Sequence, residues 1–188
     1  MNLIELIDQL ILNEIKAIQK TGHAYLSFGL ISQSIEFLGS IIDEFEFNEK
    51  GKSKNRFNNL INEFFDVKYH IYTDPTNPYN LYENLRCGLL HVMTPKAKLA
   101  LTEISKPKVI NGELKHLELN KFHGEADDRL VLVAETFYED LEKASKEIIK
   151  IIQDKSIFQK FPVLNTVSTI KKDKINLISK ALNVNLTS

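Results

Sequence analysis

The sequence predicts a mainly α-helical domain with a small antiparallel β insertion between residues 96 and 134. Three observations carry that expectation. Apolar residues recur at helical spacing through the first half of the chain, strict alternation takes over after Pro95, and helical spacing returns behind Thr136-Phe137-Tyr138-Glu139, which spells a capping box. With 188 residues and 43% hydrophobic content, the chain is long enough to bury a core as one domain.

Leu3, Leu6, Ile7, Leu10, Ile11, Ile15 and Ile18 mark a first helix over residues 2 to 20, with Gly22 as its stop. Leu26, Leu30, Ile31, Ile35, Leu38, Ile41, Ile42 and Phe45 continue the period in a second helix over 24 to 46. There Gly29, Gly39, Ser27 and Ser34 would let another helix approach closely. The polar stretch NEKGKSKN is a loop, and Phe57, Leu60, Ile61, Phe64 and Phe65 mark a third helix. After the break TDPTNP, Asn77 is placed as an N-cap and Pro78 at the first position of a fourth helix, which runs to Met93 and is closed by Thr94-Pro95.

Alternation in KLALTEI, LKHLELNKF and RLVLV, with the turn signals NG and HGEADD between them, predicts two or three short antiparallel strands. A fifth long helix follows over 137 to 153. Residues 1 to 153 thus form the helical domain, and 154 to 188 a C-terminal extension, packed on it or flexibly attached, with a weak helix near 171 to 183.

Charge is unevenly placed. Residues 143 to 188 hold nine lysines against Glu147, Asp154 and Asp173, a net of +6, which leaves −7 on residues 1 to 142 from the overall −1. Lysines on solvated helix faces account for this, as would an anionic partner. The single cysteine, Cys87, excludes an intramolecular disulfide and the four-cysteine zinc patterns, so a reducing cytoplasm is the expected compartment. MNLIELIDQLILNEIK is broken by Glu5, Asp8, Asn13 and Glu14 and lacks a basic n-region; neither a signal peptide nor a membrane association is expected from it.

The chain has 21 lysines and only three arginines, one of which stands in YENLRCGLLHVM at 82 to 93. On a helical wheel Leu81, Leu85, Leu89 and Val92 make a narrow stripe for the core, while Arg86 and His91 stand about 140° apart. The sector between them holds Glu83, Cys87 and Leu90. A second half-apolar face of this kind is expected to cover a cleft or another subunit.

Arg86, the four residues Cys87-Gly88-Leu89-Leu90 and then His91, late in a helix of a helical domain, resemble the R-x4-H motif of the HEPN superfamily. The resemblance covers about residues 1 to 153. It departs from the family pattern at Cys87, where a polar residue, often asparagine, usually follows the arginine, and in the β insertion. It implies a HEPN-like bundle acting as a metal-independent RNA endonuclease, as a toxin or defence effector with an antitoxin-like partner. Two motifs would meet across a homodimer axis, with Leu90 in the interface. The alternative it leaves open is a non-catalytic module that binds nucleotide, RNA or protein and keeps Arg86 and His91 for interface geometry.

RNA cleavage without a metal needs a proton carrier and a cation for the charge on the phosphorane-like transition state. Histidine suits the first task, and the always-charged, multidentate guanidinium the second. Glu83, one turn before Arg86, either orients the guanidinium or forms an exposed pair with it. No cofactor is implied and no metal site is expected: His23, His70, His116 (placed in a strand) and His123 (in a turn) have no partner at ligand spacing. Asp127-Asp128 and Glu139-Asp140-Glu142 belong to a turn and a helix start. Tyr69, Tyr72, Tyr79 and Tyr82 either stack on bases or fill core.

Overall fold

The computed structural model describes residues 3–43, 45–46 and 49–153. The C-terminal extension and its weak helix lie outside the described residues. Helix α1 runs continuously through Leu3–Leu6, Ile7–Asn13 and Glu14–Lys20, its middle segment wound as a π-helix. Helix α2 (Ala24–Ile42) and helix α3 (Ser53–Phe64) follow, then a 3₁₀ turn at Val67–Thr73. Helix α4 opens with a π turn, Tyr82–Arg86, and continues as Cys87–Val92. Strand β1 (Leu99–Thr102), the short helix α5 (Pro107–Ile110), β2 (Leu119–Lys121) and β3 (Asp128–Val133) make the insertion, and α6 (Ala134–Gln153) completes the bundle.

The molecule is therefore mainly helical with a three-stranded sheet, but the sheet is mixed. Its order is β1-β3-β2; β2 pairs antiparallel with β3, whereas β1 pairs parallel with it, Leu99 opposite Leu130 and Thr102 opposite Val133. An all-antiparallel sheet is thus corrected. The physical reason lies in the connections: β2 returns to β3 through six residues, short enough for a hairpin, while β1 and β3 are separated by 25 residues that include α5, long enough for a crossover. Val131, Leu132 and Val133 are buried, and β3 passes directly into α6 at Ala134. The Thr136 capping box is accordingly not used, because Thr136 already lies inside the helix. Glu135 instead accepts the Ile104 N–H at 2.9 Å, tying the turn after β1 to the start of α6.

α2 is the central helix. Ile31, Ile35 and Leu38 are fully buried, and each such side chain contributes about 1.5–3 kcal/mol of burial energy. Among the described residues it is also the one helix long and apolar enough to cross a membrane, with 56% of it buried inside the protein. Its C-terminal half crosses α3 at Gly39, where a Cβ would sit 2.1 Å from the Arg56 carbonyl oxygen. No rotamer change can relieve a clash with backbone. Gly39→Ala is expected to destabilise the protein by at least about 2 kcal/mol. Gly29→Ala, where nothing lies within 4 Å, should gain up to about 1 kcal/mol from helix propensity. Denaturant unfolding midpoints of the two variants check the contrast.

A buried polar chain fastens the insertion to the bundle. Val133 N–H donates to His116 Nδ1 at 2.9 Å, so the neutral imidazole carries its proton on Nε2 and donates it to the Tyr69 hydroxyl at 2.7 Å. Tyr69 in turn donates to Asp140 at 2.7 Å. His116 lies in a turn rather than in a strand, followed by Leu117 with a left-handed backbone, φ 63°. Burial drops its pKa from 6.5 to about 4, with Lys68 adding to the effect and Asp140 opposing it. Burial, with Asp140, drives the Tyr69 phenol far upward.

Candidate functional site

Helix α4 begins later than its sequence suggests. Asn77 closes a turn by accepting the Tyr79 N–H, and the cap passes to Asn80, whose side-chain oxygen accepts the Glu83 N–H at 3.0 Å. Asn80 is buried, and its amide donates to the Asp74 carbonyl, so the whole TDPTNP break folds back on the helix start. The first turn is then π: the Cys87 N–H reaches the Tyr82 carbonyl. A π turn takes one extra residue, so everything after it rotates back relative to a regular wheel. Leu81, Leu85 and Leu89 still meet the core, but Val92, expected in that stripe, is 68% exposed.

The same rotation brings Arg86 against α2. Its Nε and Nη2 lie 2.7 and 2.6 Å from Glu36 Oε2, and its guanidinium carbon is 5.5 Å from the centre of the Tyr82 ring. Both partners are mostly covered, with side-chain exposures of 14% and 19%. Glu36, not Glu83, therefore holds the guanidinium. Glu83 points the other way, towards Lys54 and Lys96. The signal for Glu36 was in the sequence: it is the only charged residue in Ala24–Ile42. A lone carboxylate in an apolar helix needs a buried cation.

Each of the three arginines holds a carboxylate. Arg56 is paired with Asp43 and Arg129 grips Glu125 through both Nε and Nη2. The planar fork of arginine suits this task better than the flexible lysine ammonium. That is one answer to why a lysine-rich chain spends an arginine at position 86.

His91 occupies the last turn of α4 and is exposed. Beyond it Met93 adopts a left-handed backbone, φ 57°, and its carbonyl accepts the Tyr25 hydroxyl at 2.6 Å, fixing the helix end to α2. Cys87 and Leu90 are half-buried. Cys87 lies beside the Tyr82 hydroxyl, whose pKa is raised by burial against the pull of Arg86. After the helix the chain folds back along it: a Cβ on Gly88 would meet the Thr94 carbonyl oxygen at 2.5 Å, and the Lys96 N–H donates to the Asn84 carbonyl at 2.9 Å. That return carries Lys96 to Glu83.

The face expected to cover a cleft or another subunit is thus divided. Its Arg86 edge is covered by α2 of the same chain, and its His91 edge is open, next to the exposed Val92 and Met93. Comparison with protein-family models, curated proteins and solved structures finds no match.

The chemistry available on α4 is one fixed guanidinium, one exposed imidazole five residues on and a thiol between them. Among the described residues no group of three His, Cys, Asp or Glu side chains is arranged to hold a metal ion.

Proposed function

We propose that the chain is a HEPN-like helical protein that works on RNA as an endonuclease, with Arg86 and His91 of two copies meeting across a homodimer axis. The observation that carries this reading is the preorganisation of Arg86: Glu36 and Tyr82 fix its plane from two sides while His91 stands exposed on the same helix. A positioned cation stabilises developing phosphate charge without reorganising at the moment of reaction. In the step itself the ribose 2′-oxygen attacks phosphorus and the bond to the 5′-oxygen breaks. His91 takes the 2′-proton and, as imidazolium, gives it to the leaving 5′-oxygen, and the products are a 2′,3′-cyclic phosphate and a 5′-hydroxyl.

A specific observation favours the second reading, a non-catalytic HEPN-like module that binds nucleotide, RNA or a protein partner. Glu36 already neutralises Arg86, as Asp43 and Glu125 accompany the other two arginines. In that reading the arginine is an internal clamp.

Incubating the full chain in EDTA with matched RNA and DNA oligonucleotides separates the two. Endonucleolytic turnover of RNA alone is expected, since the attacking 2′-hydroxyl is absent from DNA and the two side chains supply the acid–base and electrostatic work. No turnover of any RNA, with binding retained, would leave the module reading standing.

A further inference from the structure

Lysines crowd the N-terminal end of α3, where the local rules of helix electrostatics disfavour them. A helix N-terminus carries partial positive charge and is stabilised by carboxylates. α3 has no acidic residue in its first turn and no side-chain cap; Lys52 stands at the cap and Lys54 in the first turn. The compensating carboxylate comes from α4. Glu83 lies 3.4 Å from Lys54 Nζ and is shared with Lys96 Nζ at 3.5 Å. One carboxylate thus serves two ammoniums delivered by α3 and by the segment that returns along α4. All three side chains are solvent-reachable and both contacts are long, so each is weak and open to exchange.

This group adjoins the candidate site. The Tyr82 ring lies between Lys54, with Nζ 5.9 Å from its centre, and Arg86, with its guanidinium carbon at 5.5 Å. Lys54 thus links the two groups: it shares Glu83 with Lys96 and the Tyr82 ring with Arg86. Several cations spaced beside an aromatic ring match a backbone with repeating phosphates and flat bases better than they match a single anion.

Resting on the RNA reading above, we propose that Lys54 and Lys96 form the grip for single-stranded RNA, binding backbone phosphates next to the one presented to Arg86, and that Glu83 is the competitor these phosphates displace. The lysines bind and position; they take no part in the bond-breaking step.

Fluorescence anisotropy of a labelled single-stranded RNA, titrated with the full chain at several salt concentrations, tests this. Lys54→Ala with Lys96→Ala should weaken binding on the order of tenfold and flatten the salt dependence by roughly two phosphate contacts. Glu83→Gln should tighten binding. Lys146→Ala with Lys150→Ala, in α6, serves as the control and should leave affinity unchanged; circular dichroism confirms folding of each variant. If the wild-type chain binds no RNA, the RNA reading itself fails. If it binds and the Lys54/Lys96 variant binds equally well, or Glu83→Gln binds no tighter, only the grip is overturned.

Discussion

His91→Ala and Arg86→Ala are each expected to lower RNA cleavage on the order of 10²-fold or more while leaving the fold intact. His91 is exposed in the last turn of α4, so its removal touches no packing and should leave stability within about 0.5 kcal/mol of wild type. Arg86→Ala removes a mostly covered cation and strands Glu36, so a stability loss of about 1–3 kcal/mol should accompany the loss of activity. Arg86→Lys separates the effects: it keeps the charge but not the fork that meets Glu36. Single-turnover rates, with thermal melts on the same samples, check all three. Full activity in His91→Ala would remove the histidine from the mechanism.

The second large effect is acid sensitivity. His116 has an ordinary pKa of 6.5 in the unfolded chain and about 4 in the fold. Above pH 6.5 both states are neutral at this site and it adds no pH dependence. Between pH 6.5 and 4 the unfolded chain binds a proton that the folded chain refuses, so stability falls with falling pH. The full window costs about 3 kcal/mol. Burial is the main cause, and a second ring proton, on Nδ1, would also face the Val133 N–H donor. His116→Gln, which retains a side-chain donor for Tyr69, should be less stable than wild type at pH 7 but should show a much flatter slope between pH 6.5 and 4. Urea unfolding across that range is the check, and equal slopes in both proteins would contradict it.

The long helices were legible in the sequence because α1, α3, α4 and α6 each bury one face against α2, and burial imposes the 3.6-residue period directly. Gly39 likewise announced a close helix crossing, which the Arg56 backbone occupies. What escaped were features set by tertiary partners. The π turn at Tyr82–Arg86 leaves no local mark, yet it decides which face carries Val92 and which meets α2. The parallel pairing of β1 with β3 depends on where the 25-residue connection lies, and alternation of side chains is the same in both pairings. At the candidate site, Arg86 and His91 were visible as a motif, but Glu83 was the wrong partner: sequence neighbours three apart look adjacent, whereas Glu36, 50 residues earlier, is the one in contact. The Tyr69–His116–Asp140 chain joins three segments far apart in sequence, which no spacing rule could assemble.

The central claim, that α4 carries an RNA-cleaving pair, is tested most directly by the ends it leaves. Mass spectrometry of an oligoribonucleotide cut by the full chain in EDTA should show a 2′,3′-cyclic phosphate on the upstream fragment and a 5′-hydroxyl on the downstream one. A 5′-phosphate with a 3′-hydroxyl, or RNA left uncut, would contradict it.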